Sequence, residues 1–264
     1  GIRDLVRSRG LGDVYKRQIL YGPMRGGRHS RPHSTNLWSS KKANKKSFAI
    51  LIDPDKQDKT QLLSIIEKAE KANTNYFFVG GSLLLNGNLG ECIKTIKENS
   101  SIPVLLFPGS ELQINKDADG ILFLSLISGR NPDLLIGKQV TTAPILKETN
   151  LEVISTGYML IESGKATTAS YMSNTLPIPR DKNGIASSTA IAGEYLGMKL
   201  IYMDGGSGAQ NSIESEMIKH VCSSIMRFLV ISKGFRRLEY RQSARNDAPK
   251  TYLLLGTGRS TSPN

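Results

Sequence analysis

Short apolar runs recur along the chain from residue 47 onward, and most of them end in Gly, Asp, Ser or Pro. The runs are continuous rather than alternating with polar positions. Continuous runs are typical of strands that are buried on both faces, as in parallel sheets. They predict eight strands, over residues 48–52, 76–79, 104–107, 121–127, 153–160, 200–203, 228–231 and 252–255.

Segments with a helical period lie between several of these strands. In residues 58–73, the apolar side chains fall on one stripe, and Asp58 with Gln61 can form a capping box at the start. Eight strands with interleaved helices predict an α/β fold, a TIM (β/α)8 barrel. An open doubly wound sheet is the alternative. The barrel is favoured because the strand count is eight and because polar residues follow the strands, where the active-site loops of barrels lie.

The distribution of charge divides the chain into three parts. The 264 residues carry a net charge of +12, which taken alone points to nucleic acid or an anionic surface. However, residues 1–47 carry +10, residues 48–222 carry −4, and residues 223–264 carry +6. The barrel body is therefore slightly acidic between two basic ends. A nucleic-acid-binding protein is the least favoured function, and no nucleic-acid partner is expected.

The first part of the chain has no regular hydrophobic period. We interpret residues 1–46 as an irregular basic arm and residues 47–264 as one barrel domain. Residues 13–18 match the translation of a mosaic-end adapter used in sequencing libraries, so residues 1–18 are interpreted as adapter-derived. No nucleic-acid-binding motif accompanies the charge of the arm, which favours disordered or mistranslated sequence over a nucleic-acid-binding arm.

Apolar run length and cysteine usage predict the cellular compartment. The longest apolar runs fall far short of the roughly 20 residues that a membrane helix needs, and no signal peptide is visible. Cys92 and Cys222 lie far apart and form no metal-binding spacing. These features predict a reducing compartment, the cytoplasm.

Oxygen ligands follow the first two predicted strands. Asp53 closes the first strand, and a carboxylate there faces the mouth of a barrel. Ser82 closes the second strand after two glycines, and its hydroxyl can ligate a cation or a phosphate. Hard oxygen ligands of this kind suit Mg²⁺. The alternative at Asp53 is a turn that caps the first helix, and the alternative at Ser82 is a plain strand-to-loop turn.

A loop rich in glycine follows the sixth predicted strand. Residues 202–208 place a carboxylate, Asp204, beside a run of Gly and Ser whose backbone amides can bind phosphate. Asp204 could take a proton from a substrate hydroxyl near that phosphate. A purely structural loop needs fewer glycines, so a functional role is favoured.

Together these segments resemble the geranylgeranylglyceryl phosphate synthase family, especially its bacterial, Bacteroidetes-like branch, which also covers heptaprenylglyceryl phosphate synthases. The resemblance covers about residues 42–222. Its motifs are SFAILIDPDK (47–56), FFVGGSLL (77–84), PVLLFPGS (103–110), ADGILFLSLISGRNP (118–132), STGYMLIESG (155–164), SNTLPIPRDKNGIA (173–186) and AIAGEYLGMKLIYMDGGSGA (190–209).

This resemblance implies a modified TIM barrel that acts as a prenyltransferase. The implied reaction joins a polyprenyl diphosphate to the 3-hydroxyl of sn-glycerol 1-phosphate with Mg²⁺ and makes an ether-lipid precursor. A homo-oligomer is implied, with membrane contact only through the lipid product. By resemblance Asp53 and Ser82 hold the metal and Asp204 is catalytic. The implied glycerol phosphate residues are Tyr202, Met203, Asp204, Gly205, Gly206, Ser207, Gly208, Gly234, Gly256 and Thr257.

The C-terminal part departs from the family pattern. A Gly-Gly-Gly loop is expected after the seventh strand, but only Gly234 stands there, and the following residues through Lys250 are basic. Our hypothesis is that two compensating shifts of reading frame bracket residues 226–250. As printed, this segment leaves an incomplete phosphate loop, so a catalytically impaired family member is one alternative. Another phosphate-binding barrel, an isomerase or lyase, is the second.

Overall fold

The computed structural model describes residues 47–85, 89–206, 209–226, 228–231 and 252–257, the last two ranges as strand backbone. The predicted basic arm, residues 1–46, and most of the segment with the doubtful reading frame lie outside the described residues. Both interpretations therefore stay predictions.

Eight parallel strands in the described residues form a closed barrel in the order in which they occur along the chain. The first strand pairs with the last as well as with the second, which excludes the open doubly wound sheet. The predicted TIM barrel is confirmed. The strands are β1 (Ser47–Ile52), β2 (Tyr76–Val79), β3 (Val104–Leu106), β4 (Gly120–Leu126), β5 (Glu152–Leu160), β6 (Leu200–Asp204), β7 (Phe228–Ile231) and β8 (Tyr252–Thr257).

Helices follow most of the strands and cover the outside of the barrel. A 3₁₀ turn (Pro54–Lys56) follows β1, and a π-helical turn (Asp133–Gly137) precedes the third helix. Among the described residues, no helix is both long enough and apolar enough to span a bilayer. The helices are α1 (Lys59–Lys71), α2 (Leu89–Asn99), α3 (Lys138–Lys147), α4 (Thr168–Ser173), α5 (Asn183–Tyr195) and α6 (Ser215–Ser224).

The start of α1 shows how the local sequence fixes an element. Asp58 Oδ1 accepts a hydrogen bond from Gln61 N at 2.8 Å, and Asp58 N donates to Gln61 Oε1 at 3.3 Å. The two residues therefore form the predicted capping box, which satisfies amides that have no partner inside the helix. The apolar stripe of α1 is buried against the sheet, through Leu62, Ile65, Ile66 and Ala69.

The core has an inner and an outer layer, and β6 contributes to both. Leu200 and Tyr202 point into the barrel, whereas Ile201 and Met203 pack between the sheet and the helices. Both faces of the strand are thus removed from water. This explains why the strands appear in the sequence as continuous apolar runs rather than alternating ones.

The segment between β3 and β4 breaks the alternation of strands and helices. Residues 107–119, all of them described, form a loop with a turn at Ser110–Gln113 and contain no helix. No helix from this segment therefore covers the outer face of β4, and outward-facing side chains such as Ile121 and Phe123 line a cavity.

Candidate active site

Asp204 ends β6 and points into the mouth of the barrel. Its Oδ2 accepts a hydrogen bond from the Tyr158 hydroxyl at 2.5 Å, and its Oδ1 accepts one from Gly206 N at 2.8 Å. The residue is only 8% exposed but lines the cavity. One bond to each oxygen holds the carboxylate in a fixed orientation at the cavity wall.

Three aromatic rings lie beneath this carboxylate. Tyr202 stacks between Phe107, at 4.9 Å between ring centroids, and Tyr158, at 5.5 Å. Burial, helped by the charge of Asp204, raises the pKa of Tyr158 well above its ordinary value. Tyr158 therefore keeps its proton and serves as the donor in its bond to Asp204. The sequence assigned no site role to Tyr158, because its distance from β6 is set by the pairing of the strands and not by a local motif.

The loop after β6 has no room for a side chain at Gly206. This glycine has φ +85°, and a Cβ atom there would lie 2.5 Å from Thr167 Oγ1. Thr167 caps α4, so the glycine lets the β6 loop pass close to the start of that helix. The Gly206 amide, expected to be available for phosphate, already donates to Asp204. Ser207 and Gly208 lie outside the described residues.

The side chains of the two residues before Asp204 do not line the cavity. Met203 is fully buried on the outer face of β6, where it packs against the helices. Its side chain points away from the cavity because side chains alternate along a strand. Tyr202 is also fully buried and forms the floor under Asp204 rather than part of the cavity wall. The predicted roles of Tyr202 and Met203 in binding glycerol phosphate stay predictions.

Two of the remaining predicted phosphate residues lie near the end of the barrel sheet. Gly256 and Thr257 belong to β8, beside Ile50 and Leu51 of β1 in the parallel register. Gly256 thus lies within the strand rather than in the loop after it. Gly234 lies outside the described residues, and its predicted role stays a prediction.

Asp53 follows β1 and lies against Gly81, which follows β2 and precedes Ser82. A Cβ atom built on Gly81 would lie 3.3 Å from the Asp53 carboxyl carbon, so this carboxylate lies against the residue that precedes Ser82. Asp53 Oδ1 accepts from Asp55 N at 3.3 Å, and Oδ2 pairs with the Lys56 ammonium group. Ser82 lines the cavity, whereas Asp53 does not.

A cavity of about 620 Å³ extends from this mouth between the β3–β4 loop, the outer side of β4 and α3. Asp204, Tyr158 and Ser82 stand at its polar end. A salt bridge of 3.1 Å between Lys138 and Glu111 joins its two walls. The rest of the lining is mainly apolar and includes Leu84, Leu89, Phe107, Ile114, Phe123, Leu124, Leu126 and Leu134.

A closed parallel barrel with a fixed carboxylate at the carboxyl-end mouth of an apolar cavity defines the class of a TIM-barrel enzyme. The PcrB family model matches residues 41–248. The geranylgeranylglyceryl phosphate synthase of Chitinophaga pinensis is 49% identical over 213 residues, which are 81% of each chain. That of Spirosoma linguale is 41% identical over 230 residues, covering 87% of this chain and 92% of its own.

A solved structure gives the same result at lower identity. The (S)-3-O-geranylgeranylglyceryl phosphate synthase of Thermoplasma acidophilum, in complex with its substrate sn-glycerol-1-phosphate, superposes with a TM-score of 0.80 at 28% identity. The match covers 88% of this chain and 94% of that one. The chain belongs to the PcrB family, and it is a prenyltransferase. The predicted family and enzyme class are confirmed.

Proposed function

We propose that this protein transfers a polyprenyl group from its diphosphate to the 3-hydroxyl of sn-glycerol 1-phosphate, with Mg²⁺, and so forms a prenylglyceryl phosphate. The observation that carries this proposal is the position of Asp204, a carboxylate fixed at the polar mouth of a largely apolar cavity. The named activity of the relatives and the glycerol phosphate bound in the Thermoplasma acidophilum enzyme support it.

Asp204 acts at the glycerol end of the reaction. The bond between the first prenyl carbon and the diphosphate oxygen breaks, and the diphosphate leaves with the electron pair. The glycerol 3-oxygen forms the new bond to that carbon, and its proton passes to the Asp204 carboxylate. The bonds from Tyr158 and Gly206 orient the carboxylate before the substrate arrives, which removes part of the entropic cost of alignment.

The cavity serves the prenyl chain. Its lining is mainly Leu, Ile and Phe side chains, which favour burial of a hydrocarbon by about 0.8 kcal/mol for each methylene group. The cavity lies where the helix between β3 and β4 is missing, so an extended chain can leave the barrel mouth along the outer side of β4. The length of chain that it accepts is not set by any motif in the sequence.

Asp53 and Ser82 are the proposed magnesium ligands. They supply one carboxylate and one hydroxyl, and the described residues contain no group of three or more acidic, His or Cys side chains that would form a closed metal site. This fits Mg²⁺, which commonly binds one or two carboxylates and completes its shell with water and substrate phosphate. When bound, Mg²⁺ would stabilise the charge of the departing diphosphate. Lys56 would then release one Asp53 oxygen.

Three further predictions belong to this proposal. Ser207, Gly208 and Gly234 would bind the phosphate of glycerol 1-phosphate with Gly205, Gly256 and Thr257. The cytoplasm is the proposed compartment, supported by the wide separation of Cys92 and Cys222 in the sequence. A homo-oligomer is proposed from the family resemblance.

The test is an assay with labelled sn-glycerol 1-phosphate, Mg²⁺ and prenyl diphosphates of several lengths, followed by extraction of the lipid product. Asp204→Asn keeps the shape of the side chain but cannot accept the proton, so turnover should fall by roughly 10²–10⁴-fold. Asp53→Ala should abolish the turnover that depends on Mg²⁺, because it removes the carboxylate ligand. Glu67→Gln, an exposed change on α1, is the matched control and should leave turnover unchanged. A folded wild-type protein that forms no ether product with any chain length would refute the proposal.

A further inference from the structure

Gln113 is a buried amide in the loop that follows β3, only 5% exposed. Its Nε2 donates a hydrogen bond to Gly81 O at 2.9 Å. Its Oε1 accepts from Gly109 N at 3.1 Å and from Gly81 N at 3.4 Å. One side chain therefore joins the loop after β2 to the loop after β3 through three hydrogen bonds.

The two loops are packed backbone against backbone. A Cβ atom at Gly80 would lie 2.1 Å from Phe107 O, and one at Gly109 would lie 2.3 Å from Gly81 O and 2.8 Å from Ser82 Cα. No side chain fits at either glycine. The location of Ser82 is thus determined by direct contact with residues 107–109.

The loop after β3 needs this support because no helix follows it. After β1, the capping box of Asp58 and Gln61 anchors the chain at the start of α1. Residues 107–119, all described, have two short turns, in which Gln113 N donates to Ser110 O at 3.1 Å and Ala118 N donates to Asn115 O at 3.4 Å. The Gln113 amide supplies the fixed hydrogen bonds that a helix start provides elsewhere in the barrel.

We propose that Gln113 is a positioning residue for the diphosphate end of the site: it fixes Gly81, which lies against the Asp53 carboxylate and precedes Ser82. The inference rests on the proposed function, because it assigns Gln113 to the end of the cavity where Mg²⁺ and diphosphate would bind. Gln113 lines the cavity, but its side-chain amide is engaged by Gly81 and Gly109. It acts through Gly81 and therefore affects the metal and diphosphate end rather than the glycerol end.

The test compares Gln113→Leu, which removes all three hydrogen bonds at similar volume, with Lys116→Gln, an exposed change in the same loop. Gln113→Leu should raise the Mg²⁺ concentration for half-maximal turnover roughly tenfold or more, the usual effect of losing an outer partner of a metal ligand. Its KM for prenyl diphosphate should rise, and its KM for glycerol 1-phosphate should not change. Binding of Mn²⁺ with inorganic diphosphate, followed by electron paramagnetic resonance, should weaken in parallel.

Gln113→Glu provides a second variant for which folding can be checked by thermal melting. Its carboxylate keeps the acceptors for Gly81 N and Gly109 N but repels Gly81 O, and it regains a donor only when it is protonated. Its turnover relative to the wild type should therefore rise as the pH falls. The turnover of Gln113→Leu relative to the wild type should not change with pH.

Three outcomes would overturn the inference. They are unchanged Mg²⁺ and diphosphate dependence in Gln113→Leu, an equal shift in Lys116→Gln, and a uniform loss of kcat with both KM values unchanged. A wild-type protein without turnover refutes the proposed function instead. Amide hydrogen exchange then tests whether Gln113 holds the two loops in position. Faster exchange at Gly81 and Gly109 in Gln113→Leu supports this role, and unchanged exchange refutes it.

Discussion

The Tyr158 hydroxyl donates to the Asp204 carboxylate at 2.5 Å from the neighbouring strand of the barrel. Tyr158 lies beside Tyr202 in the β5–β6 register, and Asp204 follows two residues later on the same inner face. The carboxylate is thus held by the barrel sheet itself on one side and by the Gly206 amide on the other. The candidate catalytic group is therefore oriented by rigid parts of the fold.

Tyr158→Phe should lower kcat by about tenfold to a hundredfold, because it removes a hydrogen bond to a charged group while keeping the ring stack. Apparent affinity for prenyl diphosphate should change little. Steady-state kinetics with each substrate varied in turn check this result. Since burial holds the pKa of Tyr158 well above its ordinary value, the wild-type profile should show no Tyr158 ionisation up to pH 10. A loss of wild-type activity below pH 10 that is absent in Tyr158→Phe would indicate Tyr158 ionisation and contradict its assignment as the donor.

Gly206→Ala should destabilise the fold more than Gly197→Ala. Both glycines have a positive φ, +85° and +84°, so each alanine costs about 1–2 kcal/mol of backbone strain. At Gly197 the new methyl group meets open space, whereas at Gly206 it meets Thr167. The contact should add about 1–3 kcal/mol to the loss of unfolding free energy. Urea unfolding of the two variants measures the difference, and equal losses would show that the loop moves away from Thr167 freely.

Alkaline pH should weaken the fold through two buried groups. Burial, with a smaller contribution from the Glu152 charge, raises the pKa of Tyr76 from 10.0 to about 12. Burial, with a smaller contribution from Asp53, raises the pKa of Cys92 from 9.0 to about 12. Between these values the unfolded chain releases protons that the folded chain keeps, so the unfolding free energy is full below pH 9 and falls as the pH rises toward 12.

Tyr76→Phe tests the larger side chain of this pair. The fall in unfolding free energy between pH 10 and 12 should become shallower by at most about 1.4 kcal/mol for each pH unit. Tyr195→Phe changes a tyrosine that is 85% exposed and should leave the slope as it is. Urea unfolding at several pH values provides the comparison. Equal slopes in wild type and Tyr76→Phe would show that Tyr76 ionises equally in both states.

Leu134→Trp should shorten the prenyl chain that the enzyme accepts. Leu134 lies in the π-helical turn and lines the apolar cavity, so a larger ring there removes room for hydrocarbon. kcat/KM for a long prenyl diphosphate should fall at least roughly tenfold more than kcat/KM for a short one. Leu63→Trp, on α1 and outside the cavity lining, is the control. An equal fall in kcat/KM for prenyl diphosphates of all lengths would show that the prenyl chain does not bind beside Leu134.

The sequence predicts the barrel well because the strands are short apolar runs, those from β1 to β6 are largely buried, and most are followed closely by a polar residue, glycine or proline. The predicted strand at 76–79 coincides with β2, and the predicted cap at Asp58 forms the expected hydrogen bonds. The predicted strand at 252–255 is two residues too short, because Gly256 and Thr257 continue the pairing with β1. A glycine near a strand end predicts a turn from local preference alone, whereas the neighbouring strand decides whether pairing continues.

The candidate site is less accessible from sequence, because contacts across strands decide it. Asp204 was identified from its motif and lies at the mouth of the barrel. The side chain of Met203, one residue earlier, packs on the outer face of the strand, so its predicted substrate role could use only backbone atoms and stays a prediction. Tyr158 and Gln113 were given no role, since their partners lie 46 and up to 32 residues away in the chain. Their contributions depend on strand register and on the close packing of two loops, and neither leaves a pattern within a short window.

Closure of the barrel by β1 and β8 affects how the chain folds during synthesis. In the β1–β8 pair, Ser47 lies opposite Leu253. One edge of β1 therefore has no partner strand until β8 has been synthesised. Until then β1 presents unpaired amides and carbonyls beside apolar side chains, a template for pairing with other chains. Joining segments so distant in the chain is also slow, because the entropy of the intervening loop is lost before the pairing is gained. The interval between translation of β1 and translation of β8 is therefore the period in which the nascent chain most needs protection from aggregation.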